Sequence, residues 1–404
     1  MAKVLVVSAH LPYPPRWGFG TRVYQLMRQI ASRHDATLLC YAAPGDENVE
    51  RLRQEFLVEV VHRPKQGVLR KRASQLRSLA SPVPYDVWTT HSREMQRAID
   101  RLCAEKGFDI VQLESTLLAL FRFPPASRIV LDEHNVDYEV YARMHETERS
   151  PLRRAFYRSQ ERRFVHFEQR SWQEVSAVVA TSEREAEIMR GYAPDTHVTA
   201  VPNGVDVDYF RPASAPVEPG TLVFNGVLDY RPNIDGVNFL VDEVLPLVRK
   251  QRPDVKLAVV GRGSESAVEA LRRRGVDATG EVPDVRPYLQ RAEVVVVPIR
   301  MGSGTRLKVV EGLAMGKPVV STTLGCEGVN VRDGGHLLIG DTADAFALQI
   351  VHLFEHPEVG EALGRAGREL TEREYSWNYA GERLEGVYQL SLQGSIQARD
   401  RVAT

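Results

Sequence analysis

Met301-Gly-Ser-Gly-Thr-Arg-Leu-Lys-Val-Val-Glu-Gly-Leu-Ala-Met-Gly-Lys-Pro-Val-Val-Ser321 is the stretch on which the fold turns. The buried-strand run Glu293-Val-Val-Val-Val-Pro298 precedes it, and the run Pro318-Val-Val-Ser-Thr322 ends it. Its middle carries an apolar helical pattern. Strand, glycine turn, helix and strand make up the repeating unit of a parallel sheet covered by helices. A Gly-Ser-Gly turn feeding a helix start gathers unpaired backbone N–H groups and the positive end of a helix dipole. The glycines let a phosphate come close to the backbone, so the point is a ready anion site. Arg306 and Lys308 place two cations in the first turn, where a helix ordinarily favours carboxylates. That charge choice fits an anionic ligand that neutralises the site. The alternative is a solvated helix start with two surface cations. Glu311 falls six residues after Thr305, about 9 Å along a helix axis at ~1.5 Å per residue. One element therefore offers a diphosphate-sized anion site and a carboxylate for sugar hydroxyls.

The pattern recurs on both sides of this stretch. Upstream lie Lys3-Val-Leu-Val-Val-Ser8, a Pro/Gly loop and a helix expected over Thr21 to Ser32. The strands Ala36–Tyr41, Phe108–Leu113, Arg128–Asp132 and Ala177–Thr181 follow. Arg211-Pro-Ala-Ser-Ala-Pro-Val-Glu-Pro-Gly220 has the composition of a linker. The alternation then restarts with Thr221–Asn225, a helix from about Asn233, and Val255–Gly261, and it closes with His336–Ile339. We therefore expect an α/β protein with two parallel-sheet domains and a ligand-binding cleft between them. The expected domains are residues 1–212 and 221–375, with a C-terminal helix over about 376–392 packing back on the first.

A length of 404 residues suits two domains. Composition is that of a soluble globular chain, 43% hydrophobic and 26% charged. A net charge of −1 gives no reason to expect a nucleic-acid partner. Three scattered cysteines, Cys40, Cys103 and Cys326, fit a reducing cytoplasm better than a disulfide scaffold or a CxxC metal site. The first apolar run is too short for a signal peptide, and no run reaches the ~20 apolar residues of a membrane helix. Two basic, partly apolar segments, residues 65–77 and 153–170, read first as solvated helix faces. Peripheral contact with anionic lipid through them is the second expectation. Residues 1–213 carry 30 Lys/Arg against 27 Asp/Glu, the remainder 22 against 26, so the basic excess is mild.

Further motifs stand in order along the chain. They are Val201-Pro-Asn-Gly-Val-Asp206, Val259-Val-Gly-Arg-Gly263, Thr279-Gly-Glu-Val-Pro-Asp284, the opening stretch, and Tyr375-Ser-Trp-Asn378 with Tyr388 beyond. This series resembles glycosyltransferase family 4, the retaining GT-B enzymes, from Lys3 to about Tyr388. It is most similar to a bacterial subgroup with a Gly-x-Gly-Thr-Arg-Leu-Lys helix start. The resemblance implies two Rossmann-like domains facing each other across a cleft. It assigns Gly18 and Gly20 to a glycine loop facing the donor diphosphate, and His134 to a place near the transferred sugar. His10, which also ends a strand, is a weaker candidate. Val282 matches the position whose backbone meets the nucleotide base, and Glu311 the glutamate that binds ribose. Ser303, Gly304 and Thr305 complete the donor site. Asp206-Val-Asp208 mimics an Asp-x-Asp metal motif, but its place in the Asn-Gly-Val-Asp turn points to a structural role.

Two departures from the family pattern matter. Ser303 stands where the first of two glutamates is usual. After the first strand of the second domain, Val227 takes the place of an arginine, and Arg231 sits one residue before the place of a lysine. Arg306 and Lys308, helped by Arg231, are expected to supply the missing charge. The resemblance implies a metal-independent hexosyltransferase that takes a nucleotide-diphosphate sugar and has no resident cofactor. Its acceptor would be a glycan, or a lipid-linked or cell-envelope polysaccharide intermediate. A nucleotide-sugar epimerase on the same fold and a non-catalytic nucleotide-sugar-binding protein are the alternatives.

Overall fold

The structure is a computed structural model that describes residues 1–15, 17–63, 75, 78, 81–213, 216–302 and 306–393. The chain divides into two units, one made of Met1–Pro202 with the chain from Ala380 onward, the other of Asn203–Tyr379. The first crossing lies upstream of the proline-rich stretch, because Asn203-Gly-Val-Asp206 already belongs to the second unit. There Val205 N donates to Tyr375 O at 2.7 Å. A Cβ on Gly204 would lie 2.7 Å from the Trp377 ring, so only glycine fits beneath it. Asp206 Oδ1 accepts from the amides of Asp208 and Tyr209 at 3.2 and 2.9 Å, which makes it a turn cap.

The first unit holds a seven-stranded parallel sheet. Its strands are β1 (Lys3–Ser8), β2 (Asp35–Ala42), β3 (Leu57–His62), β4 (Ile110–Glu114), β5 (Arg128–Asp132), β6 (Ala177–Ala180) and β7 (His197–Ala200). Their spatial order is β3-β2-β1-β4-β5-β6-β7. Leu5 and Val7 join Leu39, Val111, Leu113, Leu131 and Val178 in one apolar cluster. Val4, Val6 and Leu38, which point the other way, are also buried, so helices cover both faces. The winding reverses between β1 and β4, where Ser8 pairs in register with Glu114. Such a reversal leaves a crevice at the carboxyl ends of the strands.

Beyond β1, helix formation begins at Gly18 and runs Gly18–Ala31, earlier than the expected Thr21. Pro14 and Pro15 hold off the helix and extended Trp17 opens it, with Thr21 N donating to Trp17 O at 2.8 Å. Gly18 and Gly20 therefore lie in the first turn rather than in a preceding loop. From this helix Arg22, 1% exposed, reaches the fully buried Asp132 at the end of β5. Its Nη2 donates to Oδ1 at 2.7 Å, its Nε to Oδ2 at 3.0 Å, and its Nη1 to Val201 O at 2.9 Å. The helix Trp377–Gln393 adds contacts in the first unit: Tyr388 Oη donates to Gln112 Oε1 at 2.6 Å, and Glu385 lies 2.6 Å from His34 Nε2.

The second unit repeats the plan with six parallel strands: β8 (Thr221–Asn225), β9 (Lys256–Val260), β10 (Asp277–Gly280), β11 (Val294–Val297), β12 (Val319–Ser321) and β13 (Leu338–Ile339). Their order is β10-β9-β8-β11-β12-β13, so the reversal falls between β8 and β11. The helix Leu307–Ala314 connects β11 to β12 and buries Val309, Val310, Gly312, Leu313 and Ala314.

Arg22→Ala would strand the buried Asp132 carboxylate and should lower the unfolding free energy of the first unit by about 3–5 kcal/mol. Urea unfolding followed through fully buried Trp172 checks this. An Arg22→Met, Asp132→Leu double variant should regain most of the loss.

Candidate functional site

In the second unit the polar groups gather where the winding reverses. β8 ends in Asn225, whose Nδ2 donates to Glu311 Oε2 at 2.7 Å. One helical turn before Glu311, Lys308 places Nζ 2.8 Å from Asn233 Oδ1 and 4.0 Å from the centroid of the Phe224 ring. Asn233 Nδ2 donates to Val227 O at 2.7 Å, which turns its Oδ1 toward the lysine. Space for the ammonium comes from Gly226, where a Cβ would lie 2.7 Å from Lys308 Nζ and 2.9 Å from Asn233 Nδ2. Gly261 closes the floor: its φ is +148°, and a Cβ there would sit 2.1 Å from Gly226 O.

Arg306, at the N-cap position of Leu307–Ala314, is only 9% exposed. Its guanidinium lies beside Gly302, whose φ is +101°. A Cβ on Gly302 would stand 3.1 Å from Arg306 Nη2, 3.2 Å from Pro232 Cγ and 3.5 Å from Tyr230 Oη. The guanidinium thus occupies the neighbourhood of position 232, and the ammonium that of positions 226 and 227. Neither cation is a surface charge. Burial, and secondarily Arg306, press Lys308 down to about 7 against the pull of Glu311. Burial raises the Glu311 carboxyl, opposed by the Asn225 hydrogen bond and by Lys308.

The other donor-side positions are more scattered. Arg231 is the exposed first residue of the helix Arg231–Phe239. Val282 lies beyond β10, half-buried against the core. Ser303, Gly304 and Thr305 lie outside the described residues. Gly18, in the first unit, opens a helix with no side-chain cap and no acidic residue in its first turn. Gly20 packs beneath Trp17, whose Nε1 would be 2.6 Å from a Cβ there.

In the first unit the polar cluster again sits at the reversal point. His134 follows Asp132, and its Nε2 lies 2.9 Å from Oε2 of Glu114, the last residue of β4. Phe19 stacks on the imidazole with centroids 4.4 Å apart. His10 meets Phe19 and Trp17 edge-on at 5.6 Å. Glu114, Asp132 and His134 hold donor atoms within 4.8 Å of one another, a spacing open to a metal ion. A cation there would have to compete with Arg22, which already donates to both Asp132 oxygens. Burial pushes Glu114 up to about 7 and His134 down to about 4.

The basic segment 65–77 lies almost wholly outside the described residues. Residues 153–170 belong to the helix Pro151–Gln173, which buries Gln160, Phe164 and Glu168 and exposes Arg153, Arg154, Arg158 and Arg162. Among the described residues no helix is long and apolar enough to cross a membrane. Sequence reading misses Asn225, Asn233, Glu114 and Arg22. For Asn225 and Glu114 a signal exists, a polar residue ending an apolar strand at its carboxyl end.

Both units match glycosyltransferase family models. Residues 18–209 match Glycosyltransferase Family 4, and residues 219–356 match Glycosyl transferases group 1. Among relatives, a Corynebacterium glutamicum GDP-mannose-dependent monoacylated alpha-(1-6)-phosphatidylinositol monomannoside mannosyltransferase is 29% identical over 212 residues, 47% of this chain and 55% of that protein. The Mycobacterium leprae phosphatidyl-myo-inositol mannosyltransferase is 33% identical over 206 residues, 47% of this chain and 52% of that protein. The chain thus spans about half the length of these relatives. Sucrose-phosphate synthase from Thermosynechococcus elongatus has a similar structure, with a TM-score of 0.72 and 18% identity, covering 96% of this chain and 98% of that one. Anabaena Alr3699/HepE in complex with UDP gives a TM-score of 0.68 and 15% identity, covering 96% and 100%. The fold is GT-B.

The half-buried lysine has a thermodynamic signature. Folded, Lys308 releases its proton at about 7, whereas the unfolded chain holds it to about 10.5. The unfolded state binds more protons between these values, so stability should rise with pH across that window. Comparing urea stability of the wild type and Lys308→Met from pH 6 to 10 should show that slope in the former and its loss in the latter.

Proposed function

We propose that this GT-B chain, with both units matching glycosyltransferase models, transfers a sugar from a nucleotide-diphosphate donor to a hydroxyl acceptor with retention of anomeric configuration. The observation that carries the reading is the pair of desolvated cations, Arg306 and Lys308, beside Glu311 at the reversal point of the second sheet. Diphosphate departure leaves positive character on the anomeric carbon and negative charge on the leaving oxygen. Preorganised cations in a dry site stabilise that developing charge without reorganising at the moment of reaction. The arginine fork suits two phosphate oxygens and the lysine adds a point charge. Burial presses Lys308 to about 7, and a diphosphate beside it would favour its charged form.

Together the two side chains supply the charge that Val227 and Pro232 do not, and with them metal assistance is not required. Glu311 accepts from ribose hydroxyls, and the backbone at Val282 meets the base. The bond to the acceptor forms on the face from which the diphosphate leaves, and the acceptor proton passes to the leaving phosphate. His134 orients a sugar hydroxyl and forms no covalent link. The UDP bound by the structural neighbour supports a nucleotide-sugar donor, and the phosphatidylinositol-directed relatives support a lipid-linked acceptor.

Thermal-shift measurements with UDP, GDP, ADP and their sugars should show stabilisation by one base, and none at millimolar concentration would defeat the donor site. With the matching radiolabelled donor, slow release of free sugar is expected. Arg306→Ala should lower its rate about 10²–10³-fold. Binding without any turnover would instead mark a non-catalytic sugar-nucleotide binder.

A further inference from the structure

On the footing of the glycosyl-transfer reading, we propose that Glu114 is a positioning residue. Aligned by Gln112 and Tyr388, it holds His134 in the tautomer protonated at Nε2 and leaves Nδ1 as the acceptor for a substrate hydroxyl. The chain of contacts begins on the helix Trp377–Gln393. Tyr388, 1% exposed, donates Oη–H to Gln112 Oε1 at 2.6 Å. That bond fixes which end of the Gln112 amide faces which way, so its Nε2 donates to Glu114 Oε1 at 2.6 Å. Glu114 Oε1 must therefore accept, and Oε2 is left for His134 Nε2 at 2.9 Å. Phe19, stacked 4.4 Å from the imidazole, keeps the ring from turning over. Gln112 is fully buried and Glu114 is 1% exposed. Nδ1 has no partner among the described residues, and the side chain keeps 10% exposure.

One proton lies between Oε2 and Nε2, and its place decides what Nδ1 offers. With Glu114 ionised, Nε2 carries the proton and Nδ1 presents a lone pair. With Glu114 protonated, Oε2–H donates to Nε2 and the ring proton moves to Nδ1, which then can only donate. The groups facing this pair are Asp132 on β5, Arg22 on Gly18–Ala31, and Tyr388 on the crossing helix. Arg22 favours the ionised carboxylate, as does the Gln112 hydrogen bond, while burial opposes both and brings Glu114 to about 7. His134, held near 4 chiefly by burial, stays neutral throughout. The tautomer therefore switches with the charge of Glu114, and the accepting form gains as pH rises through about 7.

Glu114→Gln tests this with almost no change of shape. The Gln112 amide still needs an acceptor, so the new carbonyl takes the Oε1 place and the new NH₂ donates to Nε2. The variant should lock His134 with its proton on Nδ1 at every pH. Nitrogen-15 NMR of the histidine-labelled full chain, with His134 assigned by its loss in His134→Asn, reads the tautomer without needing turnover. At pH 8 the wild type should show protonated Nε2 and bare Nδ1, and Glu114→Gln the reverse. A wild-type ring protonated at Nδ1 at pH 8, or the same tautomer in both proteins, overturns the proposal. In turnover, Glu114→Gln should lower kcat about 100-fold, leave the donor KM within about threefold, and erase the rise in rate through neutral pH. Wild-type kcat with the rise intact would overturn it too. If the tautomers behave as stated but no nucleotide sugar turns over, the transfer reading falls and the positioning role stands. Should Glu114→Gln fail to fold, the wild-type titration alone decides, since the tautomer must exchange near pH 7.

Discussion

A parallel sheet covered by helices on both faces has little room for polar side chains except at the ends of its strands. Both units obey that constraint, and nearly everything chemical in them follows from it. The central strands of each sheet are rich in Val and Leu, and most of the partnered polar groups lie at or just beyond their carboxyl ends, with Gln112 in the middle of β4 an exception. Because helices also surround those ends, the groups arrive desolvated and must be partnered within the protein. Arg22 finds Asp132, Glu114 finds His134, Asn225 finds Glu311, and Lys308 finds Asn233. Each partnership joins segments distant in sequence or on different strands, so these polar clusters exist only in the folded chain.

Desolvation also sets the chemistry. Burial raises carboxyls and lowers amines and imidazoles, moving all of them toward neutrality. Glu114 and Lys308 both arrive at about 7, from opposite directions and in different units. Perturbation of this kind gathers at functional sites, because a group poised near ambient pH can change charge at little cost. In the second unit the poised group is Lys308, set between burial and Arg306, which lower it, and Glu311, which raises it. In the first the poise suits a carboxylate that dictates where a neighbouring ring keeps its proton.

Much of this architecture is legible in the chain. Continuous Val runs such as Val294–Val297 announce central strands, and the apolar pattern after Arg306 announces the helix Leu307–Ala314. Three strands, β3, β7 and β10, escape that criterion, and each is an edge strand, although the fourth edge strand, β13, does not escape it. With a neighbour on one side only, β3 leaves Leu57 and His62 exposed and Glu59 and Val60 half-buried, and it lacks the uniform apolar signature. The helix at Gly18 begins early because two prolines and Trp17 define its start, a local signal outweighed in the sequence by the glycines themselves. Lys308–Asn233 could not be read from sequence, since nothing in an asparagine 75 positions away marks it as the partner of a lysine. Conversely, Pro-Asn-Gly-Val-Asp and Tyr-Ser-Trp-Asn look like separate landmarks. In space they are one contact, Gly204 beneath Trp377, which is why the chain changes units at Pro202 and not in the proline-rich stretch.

The bond from Tyr388 to Gln112 spans 276 positions, and it closes the first unit with a segment made after the second. During synthesis, at about 5–20 residues per second, Gln112 emerges some ~14–55 s before its partner exists. For that interval the Gln112 amide has no Tyr388 hydroxyl to orient it, while the whole of Asn203–Tyr379 is being made. The order of translation therefore runs opposite to the order of completion: the unit begun first is the one finished last.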